Sequence, residues 1–213
     1  MRVWVLALLA TGCGGVSSSI LDGGGDAAAS EDAADAAAEA SAITITVGSC
    51  PALSPCGGDV TGTWTLTGGC VDDPLTAAKS ACPTLVVGSE TATGSGTVTF
   101  AGGIVTRSYT SHYGMDITIP DACLQGATCA QAQAAYQAYI PNTTCNAVTN
   151  GCECTGSLDT TASQGSSYTT SNDEIVTGGG DHYDYCVNAS GGQMQYHHVS
   201  GPTADFGSYT LTK

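Results

Sequence analysis

Gly62-Thr63-Trp64-Thr65-Leu66-Thr67 alternates with a period of two, which sets Trp64 and Leu66 on one face of an extended strand and three threonines on the other. The same pattern recurs downstream. Thr97-Val98-Thr99-Phe100-Ala101 and Ile104-Val105-Thr106-Arg107-Ser108 flank Gly102-Gly103, a two-residue signal for a hairpin whose turn needs positive φ at both positions. Met115, Ile117 and Ile119 then alternate with Asp116 and Thr118 in a further strand. Later strand candidates are Cys152 to Leu158, Ser166 to Thr170, His182 to Val187, Gln193 to Val199 and Phe206 to Leu211.

One helix interrupts this series. Thr128-Cys129-Ala130-Gln131 has the form of a capping box, Ala-rich sequence continues through Tyr136 and Tyr139, and Pro141 stops it. The chain has 213 residues, of which 29 are Gly and only 6% are aromatic, a balance that suits short strands and turns. The expected fold is therefore mainly β: an antiparallel barrel or curved sandwich over residues 43–213, with one short helical insertion and disulfide staples.

The amino-terminal stretch reads differently. Arg2 is a positive start, Val3 to Ala10 form an apolar run too short to span a bilayer, and Ala10-Thr11-Gly12 is a small-residue approach to Cys13. Leu9-Ala10-Thr11-Gly12-Cys13 resembles the lipobox of bacterial lipoproteins. The resemblance implies a signal peptide over residues 1–12, lipid attached to Cys13, and, with Gly14 following, an outer-membrane address on the periplasmic or cell-surface side. Residues 13–42 carry Gly, Ser, Ala and six acidic side chains with no aromatic residue, and read as a solvated tether without a core of its own.

Cysteine parity supports export. Eleven cysteines are present, and setting Cys13 aside leaves Cys50, Cys56, Cys70, Cys82, Cys123, Cys129, Cys145, Cys152, Cys154 and Cys186, an even set that an oxidising compartment would close into disulfides rather than load with zinc. The pairing stays open at this point. Cys152 and Cys154 are expected to face opposite sides of their strand and so to bond different partners.

Net charge is −15, and beyond the leader the only cations are Lys79, Arg107 and Lys213. Phosphate backbones need a basic footprint that three scattered cations do not make, which argues against nucleic acid as a partner. No cofactor motif is present, nor a G-x-S-x-G elbow, and the expectation is a non-enzymatic protein. The acidic loops at Asn172-Asp173-Glu174 and Gly178 to Asp181 lack the spacing of a calcium-binding loop and read as hairpin connections.

Gly62-Thr63-Trp64 is similar to the G-x-W signature of lipocalins. Cys56-Gly57-Gly58-Asp59, Cys152-Glu153-Cys154, Asp184-Tyr185-Cys186-Val187 and the closing Tyr209-Thr210-Leu211-Thr212 resemble the lipocalin-like domains of bacterial surface lipoproteins. The resemblance implies an up-and-down barrel with the Trp at one end, covered by a cation that would here be Lys213 or Arg107. It also implies a small apolar ligand, which Trp64, Phe100, Met115, Ile117 and Tyr185 would line.

Two other readings stand beside this one. The domain is a structural or protein-interaction surface with a filled core, or it is a metal-dependent enzyme. For the latter, if Tyr183, Tyr185 and Val187 face the core with Met194 and Tyr196, then His182, Asp184 and His197 share the outer face as a weak metal-binding trio. Adjacent His197 and His198 must point opposite ways. Oligomeric state is left open by the sequence.

Overall fold

The computed structural model describes residues 41–202 and 207–213. The leader, Cys13, all of the tether before Ser41, and Phe206 lie outside the described residues. The elements in chain order are β1 (Ile43–Val47), β2 (Gly62–Val71), α1 (Thr76–Ala81), β3 (Val86–Ala101), β4 (Ile104–Pro120), α2 (Asp121–Leu124), α3 (Cys129–Gln137), β5 (Thr144–Val148), β6 (Gly151–Ser171), β7 (Glu174–Thr177), β8 (His182–Val187), β9 (Gln193–Ser200) and β10 (Gly207–Thr212). The fold is mainly β, one ten-stranded sheet among the described residues with three short helices and five disulfides.

Eight strands pair antiparallel in sequence order, β2 with β3, β3 with β4, β4 with β6, and on through β7, β8, β9 and β10 back to β2. The two strands outside this circuit sit at one end of it. β1 is wedged between β2, to which it is parallel, and β3, to which it is antiparallel, and β5 forms a hairpin with the start of β6. The expected turn between β3 and β4 forms at Gly102-Gly103, with φ of 57° and 76° and Ala101 opposite Ile104.

The strands are longer and fewer in this region than the alternation predicts. Ile104–Ser108 and Met115–Ile119 belong to the single strand β4, and Cys152–Leu158 and Ser166–Thr170 to the single strand β6. Between the apolar stretches the inward positions hold Tyr109, Ser111, Thr160 and Ala162, so the hydrophobic signal lapses while the ladder between β4 and β6 continues unbroken from Ile104↔Ser167 to Pro120↔Gly151.

Two hydrophobic cores share these long strands. The first packs Trp64, Val98, Phe100, Val105, Ile175, Tyr183, Tyr185, Met194 and Leu211, and the second packs Leu75, Met115, Ile117, Ile119 and Ile140 around Cys145, Cys152 and Cys154. Helices cover the second core. α3 starts on the expected capping box, Thr128 Oγ1 accepting from Gln131 N–H at 3.3 Å and Gln131 Oε1 accepting from Thr128 N–H at 2.9 Å. The single expected helix is thus joined by α1 and α2, which at six and four residues are too short for a periodic signal. Local chemistry starts α1, as the Asp73 carboxylate accepts from Leu75 N–H at 2.7 Å. The Cys82–Cys123 bridge then ties the end of α1 to α2.

The other bridges are Cys50–Cys70, Cys56–Cys186, Cys129–Cys152 and Cys145–Cys154. Cys152 and Cys154 do bond different partners. The expected opposite facing is wrong, because residues two apart in a strand share a face, and both sulfurs are buried in the second core. Their partners differ because Cys145 lies directly across from Cys154 on β5, whereas Cys129 approaches from the first residue of α3.

The bridges differ widely in loop length. Cys56–Cys186 spans 130 residues and Cys145–Cys154 only 9. On the chain-entropy account, replacing both cysteines of the first pair by serine should destabilise the domain about 2 kcal/mol more than replacing both of the second. Urea unfolding of the two double variants measures the difference.

Candidate functional site

Trp64, Phe100 and Tyr185 come together in the first core, whereas Met115 and Ile117 lie in the second. The first three are held by specific contacts. Trp64 is fully buried, its Nε1–H donates to the Val60 carbonyl at 2.6 Å, and Lys213 Nζ sits 4.5 Å from its ring centroid. Of the two cations that could cover the indole, Lys213 does so, while Arg107 lies 4.7 Å from the Tyr183 ring instead. Phe100 meets Tyr168 edge-on at 5.0 Å. Tyr185 donates its hydroxyl to the Gly58 carbonyl at 3.0 Å, and burial pushes its phenol pKa up.

Side chains fill the space inside the first core. Tyr183, Tyr185, Met194 and Leu211 are each at most 2% exposed and meet from β8, β9 and β10. Two shallow concavities, of about 280 and 260 Å³, lie instead along β3, β4 and β6. Their lining is dominated by Ser, Thr, Gly, His and Asp, and no residue of the first core takes part.

His182, Asp184 and His197 fall where the register predicts. Tyr183 and Tyr185 are buried, and Asp184 stands directly across from His197 on one side and from Glu174 on the other. Each imidazole has taken a neighbour. His182 Nδ1 lies 2.8 Å from Glu174 Oε1, and His197 Nδ1 lies 2.9 Å from Ser208 Oγ. Among the described residues no group of three His, Cys, Asp or Glu side chains converges as a metal site. His198 points inward as alternation requires: its side chain is 7% exposed, packs 5.1 Å from the Tyr183 ring, and its Nε2 lies 3.6 Å from Asp181 Oδ1 without a hydrogen-bond partner.

Two polar groupings are invisible to sequence reasoning because they assemble across strands. His112 on β4 meets Asp159 on β6 at 2.7 Å between Nδ1 and Oδ1. Lys79 on α1 bridges Asp73 at 2.6 Å and Glu90 at 2.8 Å, and Glu90 accepts from the Tyr113 hydroxyl at 2.9 Å. This network pins α1 to β3 and β4 over the second core. Burial opposes the charge on Asp73, yet hydrogen bonds from Lys79 and from Leu75 N–H outweigh it and hold the carboxyl below its ordinary range. Burial, with the Glu90 carboxylate beside it, pushes the Tyr113 phenol far above its usual value.

No family model, curated protein or solved structure matches this chain. The assignment of function therefore rests on the geometry above.

A carboxyl with a depressed folded-state pKa contributes stability that is fully present above its unfolded value of about 3.9 and is lost as pH falls through the folded value. Stability should accordingly drop as the pH is taken below about 4, and the Asp73→Asn variant should lose part of that drop. Urea midpoints at about pH 7 and about pH 3 for both forms test this.

Proposed function

We propose that this chain is an exported lipoprotein, anchored through Cys13, whose β domain is a lipocalin-like barrel with a filled interior that serves as a structural or protein-interaction module. The observation that carries the reading is the packed first core, where Trp64, Tyr183, Tyr185 and Met194 occupy the space that an apolar ligand would need. The circuit of eight antiparallel strands in sequence order supports the lipocalin-like form, as does Lys213 over the indole of Trp64. Five disulfides among ten cysteines support an oxidising destination and leave Cys13 as the odd thiol.

Binding of a small apolar ligand is the rival, and it would require Trp64 or Tyr185 to swing out of the core. A core packed to ordinary interior density resists this, because each displaced aromatic group loses its dispersion contacts and exposes apolar surface.

A fluorescent fatty-acid probe titrated to high micromolar concentration should show no saturable binding; saturable uptake displaced by unlabelled fatty acid would overturn the filled-core reading. In the native host, the Cys13→Ser chain should move from the membrane fraction to the soluble fraction, and the mass of the mature amino terminus should show acyl chains on the unsubstituted protein. An unmodified first residue would overturn the anchor.

A further inference from the structure

β6 is 21 residues long, and β4 covers one of its edges from Gly151 to Ser167. Its other edge is covered only at the ends. β5 pairs with Gly151 to Thr155 and β7 with Tyr168 to Ser171. The outlying bonds on that edge are Asn142 N–H to the Ser157 carbonyl at 3.4 Å and Gly178 N–H to the Ser167 carbonyl at 2.7 Å, whereas Tyr168 N–H turns the other way, to the Gly103 carbonyl in the β3–β4 turn at 2.9 Å. Odd-numbered residues of β6 therefore present their backbone groups away from β4. Asp159, Thr161, Ser163 and Gly165 are such residues; all four are exposed, and among the described residues no strand pairs with this edge between Leu158 and Ser166.

An open edge of this length is a template for one more strand. The segment holds no Pro and no Lys, and Asp159 is its one charged residue. Its two faces specify what the added strand should carry. On the outer face the edge shows Asp159, 67% exposed, with one carboxylate oxygen 2.7 Å from His112 Nδ1 on β4; among the described residues no Lys or Arg answers it, since Lys79 is held by Asp73 and Glu90, Arg107 lies on Tyr183, and Lys213 lies on Trp64. On the inner face, Tyr109 is 37% exposed and stands opposite Ala162 in the β4–β6 ladder, one strand in from the edge.

We infer that the Leu158–Ser166 edge of β6 is a docking site for an extended segment of a partner protein that alternates basic residues, facing Asp159, with apolar residues, facing Ala162 and Tyr109. A second copy of this chain fits less well. Its own Leu158–Ser166 segment brings no cation, and each copy carries a strongly negative charge. The inference deepens the interaction-module reading above and rests on it.

The test uses the full-length chain in detergent and a blocked synthetic peptide that alternates valine with lysine, beside a twin with glutamate in place of lysine. The lysine peptide should bind roughly tenfold tighter than its twin, and hydrogen exchange should slow at the Thr161, Ser163 and Gly165 amides. Thr161→Pro removes an outward N–H without touching the β4 ladder and should abolish binding. Asp159→Lys should reverse the preference between the two peptides, which keeps the test decisive if the proline variant folds poorly. Binding unaffected by both substitutions, protection elsewhere on the domain, or no binding would overturn the inference. So would a dimer in sedimentation that Thr161→Pro dissolves, since a second copy would then close the edge. Fatty-acid uptake would sink the filled-core reading through a separate readout.

Discussion

The ladder between β4 and its two neighbours constrains everything else in the domain. β4 pairs with β3 along almost its whole length and with β6 from end to end without a register shift, so the facing of each inward residue is fixed by the facing of any one of them. Val105 enters the first core, and ten residues on, at an even spacing, Met115 enters the second. A slip of one position would turn both sets to solvent together. The two cores are for this reason a single commitment of the chain, although the fully buried aromatic residues sit in one and most of the sulfur in the other.

Charge is used sparingly around that frame. The three cations of the described domain are engaged inside the fold, two over aromatic rings and one between two carboxylates. A lysine shared by Asp73 and Glu90 is only partly screened by water, so the network orders α1 against β3 more firmly than a surface pair would. What remains for solvent is acidic. A surface of that sign repels anions.

Much of this architecture is legible in the chain itself. Alternation at Trp64, Leu66, Met115, Ile117 and Ile119 marks inward faces correctly, and Gly102-Gly103 and the Thr128–Gln131 box mark a turn and a helix start. The facing of Tyr183 and Tyr185 fixes the outward placement of His182, Asp184 and His197. The rest depends on pairing at long range. β4 and β6 each read as two strands because their middle stretches are poor in apolar residues, and α1 and α2 escape notice because a single turn leaves no period. Disulfide partners, the His112–Asp159 contact and the Lys79 network need the register of separate strands, which no local pattern records.

The placement of Cys50 and Cys56 also governs how the domain answers tension. A load applied ahead of Ile43 meets first the short hydrogen-bonded seams of β1 with β2 and β3, and these can be unzipped a few residues at a time. Extension then halts at sulfur, because Cys50 is bolted to the end of β2 and Cys56 to β8. Drag on a domain hung by its amino-terminal end would thus peel away β1 and then pass through covalent bonds into β2 and β8, so that the pull enters the eight-strand circuit on two strands at once.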